Sequence, residues 1–251
     1  MVMLAVVLIL VTLVLTGCGS QQSASTRPLA SSVAAAVWGN STSASSSIQW
    51  SGSGTKVTGN VSSNSGITMS GSNNSIRGTA YYASNLTISG SKDTFTSSQN
   101  VSPMPMPVGY SLADYQPGGR EAVKAQNAGK YHYVNGDFTV STSGTVLDGL
   151  YYVKGNVGLS GSNITGTFTV VAEGTISISG SGFNCNTYSS GLLLFANGSS
   201  LAISGSNCTL GGIIYVPTGQ IAISGSGSKI SGSLFGNTVA LSGSNMVITA
   251  Q

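Results

Sequence analysis

Charge is what this sequence has least of. Nine Lys and Arg and six Asp and Glu make up 6% of 251 residues, against roughly a quarter in ordinary soluble domains. The basic residues are scattered, and without a basic stripe no nucleic-acid partner is expected. The acids, Asp93, Asp114, Glu121, Asp137, Asp148 and Glu173, form no paired motif. Glycoside hydrolysis needs two carboxylates roughly 5 to 10 Å apart, and lyases commonly add a calcium-binding acid cluster. The single histidine, His132 in "KYHYV", supplies neither a metal set nor a triad. No catalytic residue, metal or cofactor is therefore expected.

Cysteine is scarce as well. Cys185 and Cys208 lack metal-ligand spacing, but "GSGFNC" and "GSNC" set them after the same kind of corner one repeat apart. That placement suits a disulfide and also two buried thiols, and the bridge is the expectation. The third, Cys18, closes "LTGC" after the apolar run "MVMLAVVLILVTLVLT". This fits the acylated cysteine of a bacterial lipoprotein signal peptide, although no Lys or Arg precedes the run. The run is shorter than the roughly 20 residues of a membrane span. Residues 1–18 are read as signal peptide or membrane anchor, with Cys18 the lipidation candidate. The protein is then exported to the cell envelope and held to the membrane by its N-terminus. Residues 19–47 are read as a Ser/Ala-rich tether with a short helix around Leu29 to Trp38.

What fills the chain instead is repetition. Nine rows share a frame of apolar, small, apolar, Ser: "IQWS", "ITMS", "LTIS", "FTVS", "VGLS", "ISIS", "LAIS", "IAIS" and "VALS". Their starts are spaced 19, 19, 52, 19, 19, 25, 20 and 18 residues apart. A fixed period near twenty marks a solenoid. Alternation within each row predicts a strand, and the following "SGSN" predicts a tight turn. A second short strand follows, so each coil reads as strand, turn, strand, turn. The expected fold is all-β, a right-handed parallel β-helix of about nine coils over 48–251, on the order of 40 Å long. Ile48, Ile67, Leu86, Val157, Ile176, Leu201, Ile221 and Val239 should point inward, as should the residues two further on. Asn73, Asn163, Asn207 and Asn245 are expected to form a partial amide ladder at the corner.

One long stretch, 101–136, breaks the repeat. It holds four of the six prolines, the lone histidine and a helix predicted at Gly119 to Ala128 with a Gly129 cap. Interfaces draw their energy from Tyr, Arg and Met. The candidate binding residues are accordingly Tyr110, Tyr115, Arg120, Tyr131, His132 and Tyr133, the rival being that this segment only braces a flank of the solenoid.

Taken in order, "GLYYVKGNVGLSGSNITGTFTVVAEGTISISGS", "GLLLFANGSS" and "GGIIYVPTGQIAISGS" resemble the bacterial Tad/Flp pilus-assembly TadE/G-like SGSN-repeat surface proteins. The resemblance covers nearly all of 48–251, including "ADYQPGG". It implies a non-catalytic, membrane-anchored surface protein, structural or adhesive, with pilus or envelope proteins or surface glycans as partners. The alternatives are a carbohydrate-active β-helix enzyme, an ice- or polymer-surface binder using the outward column from Gln49 through Thr68 and Thr87, and a self-assembling bactofilin-like polymer.

Overall fold

The computed structural model describes residues 35–251, so the apolar leader, Cys18 and the first part of the tether lie outside the described residues. The chain winds as a β-solenoid of parallel strands, about 11 turns and 49% strand. Strands without the row motif also join the stack: Ala35–Gly39 completes the coil that begins at Val239, and Tyr131–Val134 lies below the lowest row.

Each coil carries three strands rather than the two read from the sequence. The nine rows build the first ladder. Short strands after the serine-glycine corner, such as Lys56–Thr58, Lys229–Ser231 and Val247–Thr249, build the second. Strands such as Leu192–Ala196, Ala35–Gly39 and Asn60–Ser63 build the third. The corner between the second and third has no serine motif to announce it. Gly59, Gly149, Gly212 and Gly232 make it, with φ between 96° and 158°, a region a side chain rarely tolerates.

The order of coils in space is not their order in the chain. In the first ladder the inward column runs Phe138, Val157, Ile176, Leu201, Ile221, Val239, and then returns to Ile48, Ile67 and Leu86. The coil at 48–63 therefore sits on the coil at 234–249. This seam is bonded like any other junction. Val37 pairs Leu234, Ser51 N–H donates to Leu241 O (2.9 Å), and Asn245 N–H donates to Ser53 O (2.8 Å). The lower end of the rod is thus Tyr131–Val134 with Phe138–Val140, and the upper end is Leu86–Ile88 with Thr94–Asn100. The helix expected near Trp38 is overturned where the structure describes it: Ala35–Gly39 is a buried strand between Leu234–Leu241 and Asn60–Ser63. Burial on both sides outweighs the helix propensity of an alanine run.

Inside the tube the inward columns are as expected, with Ile48, Ile67, Leu201 and Ile221 fully buried. The corner differs from expectation. Asn73, Asn163, Asn207 and Asn245 adopt positive φ, but they alternate up the stack with Gly144, Gly182, Gly227 and Gly54. The Oδ1 atoms of Asn163, Asn207 and Asn245 occupy the space a Cβ on the next coil's glycine would need, as Asn245 does beneath Gly54. No continuous amide ladder can form. The turn N–H groups donate instead to serine carbonyls of the coil above, and serine N–H groups donate to serine Oγ atoms of the coil below. The middle glycine of the corner is required by close approach. A Cβ on Gly52, Gly71, Gly90, Gly161, Gly180, Gly205, Gly225 or Gly243 would run into the carbonyl of the coil beneath.

The expected disulfide is not formed, and Cys185 and Cys208 are free buried thiols. Register explains this: Leu210, not Cys208, lies opposite Cys185, because Cys208 comes two residues earlier, at the corner. Burial, reinforced by neighbouring Cys208, pushes the Cys185 thiol up to about 12, and burial also raises Cys208. Both should resist thiol reagents in the native protein at neutral pH. Denaturing without reductant and mapping alkylated peptides should find both labelled; an unlabelled pair would restore the bridge.

Candidate functional site

Consecutive strands of the third ladder present an outward column of large apolar residues. From low to high it runs Tyr152, Val171, Phe195, Tyr215, Phe235 and Trp38. On a bare rod this stripe would face water, yet every member is at most 6% exposed. The cover is the segment that breaks the repeat. Leaving the upper end at Asn100, it runs down the side of the rod to Tyr131 at the lower end. Met104, Met106, Val108, Tyr110, Leu112 and Tyr115 pack on the column. Two short helices follow, α1 (Leu112–Tyr115) and α2 (Arg120–Asn127), the second where the sequence places one, with Gly129 at φ 67° just beyond it.

Polar contacts pin this strap along its length. Asn64 clamps the Met104 backbone, its Oδ1 accepting the N–H (2.8 Å) and its Nδ2 donating to the carbonyl (2.6 Å). Tyr110 donates its hydroxyl to Ser190 O (3.2 Å) and meets Tyr215 edge-on at 5.3 Å. At the bottom, Glu121 accepts from Ser189 Oγ (2.8 Å) and Lys124 Nζ (2.9 Å). Burial works against the Glu121 charge, but the hydrogen bonds from Lys124, Ser189 and Ser190 outweigh it and hold its carboxyl below the ordinary value.

The six candidate residues do not share one surface. Tyr115 is buried, and its carbonyl accepts from the half-buried Tyr131 hydroxyl (3.0 Å). Burial, with a contribution from Tyr133, pushes the Tyr131 phenol up to about 12. These two and Tyr110 hold the strap to the rod. Arg120 is exposed and pairs with Asp114 (3.5 Å) and Glu121 (3.2 Å). His132 and Tyr133 are neighbours on one strand and so face opposite ways. His132 stacks on Tyr151 at 4.3 Å toward the tube, while Tyr133, 47% exposed, stacks over Tyr152 on the outer face.

Around Tyr133 the surface forms a shallow pocket of about 210 Å³, lined also by Gln116, Pro117, Tyr152, Lys154 and Glu173. Tyr152 donates its hydroxyl to Glu173 Oε1 (2.7 Å). Burial first, and this bond second, raise the phenol well above its ordinary value. Sequence reading passed over these partners, although their spacing carries a signal. Tyr133 and Tyr152 are one 19-residue period apart, as are Lys154 and Glu173. The pocket joins an aromatic face, on which an apolar ring face can stack, to an ammonium and a carboxylate, which hydrogen-bond hydroxyl-rich ligands. Among the described residues no three of His, Cys, Asp and Glu come together. Comparison with family models, with curated proteins and with solved structures returns no match.

Proposed function

We infer that the protein is a non-catalytic component of the cell envelope, structural or adhesive, anchored through its N-terminus and associated with Tad-type pilus assembly. The observation carrying this reading is that all six carboxylates are employed in holding the fold. Asp93 accepts from Asn74 N–H (2.9 Å), Asp137 from Asn156 N–H (2.7 Å), and Asp148 pairs with Lys130. Asp114 ties α1 to α2 through Arg120, Glu121 ties α2 to the rod through Ser189, and Glu173 holds Tyr152. A glycan-cleaving site needs carboxylates free to transfer protons or attack.

Contact with a glycan or protein partner is assigned to the Tyr133 pocket. The ice-binding reading is disfavoured by the spatial order of the outward first-ladder column, where Gly158, Ser177, Ala202, Ala222 and Ala240 lie between threonines at the two ends. As a test, the full chain in mild detergent is incubated with envelope fragments and with neutral and acidic glycans. Co-sedimentation with envelopes, weakened several-fold by Tyr133→Ala, and no new reducing ends or unsaturated products are expected. Turnover of any glycan above the buffer control overturns the reading.

A further inference from the structure

The two ends of the rod match almost everywhere. Leu86, Thr87 and Ile88 at the top have the same frame as Phe138, Thr139 and Val140 at the bottom. Neither end is sealed: Ile88 is 39% exposed at the top, and Phe138 and Val140 at the bottom are only partly buried. At the corner, Gly and Asn alternate from Gly144 up to Asn73, and Lys92, with φ 60°, follows Asn73 where the alternation calls for glycine. A second copy placed on top would bring its Gly144 above Lys92, a glycine over a positive-φ side chain as Gly54 lies over Asn245. Its Ser143 N–H would reach Ser91 Oγ, continuing the rungs from Ser91 to Ser72 and from Ser72 to Ser53. The seam inside the chain proves the principle, since Asn245 of one block already donates across it to Ser53 of another in this pattern.

One position breaks the match. All eight coils with a coil beneath carry the middle corner glycine, where a Cβ would strike the carbonyl below. The lowest coil has nothing beneath it and carries Thr142 there, directly under Gly161. We propose that Thr142 is a stop: the rod's two ends form a self-complementary surface for a second copy of this chain, and the Thr142 Cβ, meeting the next copy's Gly90 carbonyl, prevents the stack from continuing. Matching ends left open are a route to unbounded fibres, and a single misplaced Cβ on an exposed edge is an economical block. The proposal deepens the structural reading above, but it concerns the ends alone, so its failure leaves the envelope reading standing.

The test is end-to-end cross-linking of the full chain in mild detergent. Thr87→Cys and Thr139→Cys place thiols on facing outward positions of the two ends, about 4.8 Å apart across an in-register junction. In that background, Thr142→Gly should give a ladder of disulfide-linked oligomers at least about tenfold above the parent, a shift in association near 1.4 kcal/mol. Thr142→Ala keeps the Cβ and should stay monomeric. Residue 142 is exposed at a bend, so both variants should show the parent's thermal unfolding. Ile88→Lys added to the Thr142→Gly protein should abolish the ladder. Three results would each overturn the proposal: no ladder from the Thr142→Gly protein, an equal ladder from the parent or from the Thr142→Ala protein, or cross-linking of Thr87→Cys alone to itself.

Discussion

A chain whose residues 103–130 are replaced by four Gly/Ser residues should not fold into this rod at all. The strap links Asn100 at the top to Tyr131 at the bottom. Nine junctions separate those two strands in the third ladder, a distance of about 43 Å at ~4.8 Å each. The shortened link of six residues reaches about 25 Å. The seam between Leu234–Leu241 and Ala35–Gly39 would have to open, exposing the edges of both blocks. A Gly/Ser replacement of the original length can span the distance at little extra closure cost, and the rod should then form. It would leave Trp38, Phe195, Tyr215 and Phe235 uncovered, an apolar stripe large enough to drive association. Circular dichroism and thermal unfolding should show native cooperativity lost only with the short link, and hydrophobic-dye binding should rise sharply with the long one. Native melting of the short-link protein would sink the coil order described here.

Gly52→Ala should be strongly destabilising. If the coils followed chain order, the row "IQWS" would begin the rod and Gly52 would have nothing under it. It sits instead over the Gly243 carbonyl, and a Cβ there would force the coils apart. Overpacking against backbone reaches about 3 kcal/mol, which corresponds to a fall in Tm of about 6 to 12 °C for a domain of this size. Gly109→Ala is the control, since nothing lies within 4 Å of a Cβ at that position. Equal melting of the two variants would refute the seam.

The solenoid was legible because its period is written in residues that can do only one thing. A column such as Ile176, Leu201 and Ile221 has no place but the interior, and "SGS" has no use but a corner. Coil order was harder, since every row pairs equally well with every other. The information was nonetheless present in the glycines: the row "FTVSTSGT" lacks the middle one and is the lowest coil, whereas the first row in the chain has it. The third strand of each coil was missed because "LLLFA" at Leu192–Ala196 is buried on both faces and shows no alternation. That same absence hid the outward apolar column. With no stripe to cover, the tyrosines and methionines of 101–136 read as a recognition surface, and most of them proved to be its lid. The disulfide failed for a similar reason, as an offset of two residues at the corner cannot be read from spacing across a coil of irregular length.

The seam also has a consequence in time. Ser233 donates its hydroxyl to the Ala35 carbonyl, a partner 198 residues earlier in the chain. At roughly 5 to 20 residues per second, a ribosome needs about 10 to 40 seconds to make that interval. Throughout it the lower edge of Ala35–Gly39, Ile48–Trp50 and Lys56–Thr58 has no neighbour to bond, however well the coils above have formed. The edge made first is completed last, and another nascent copy of this chain would offer the same complementary edge before its own is ready.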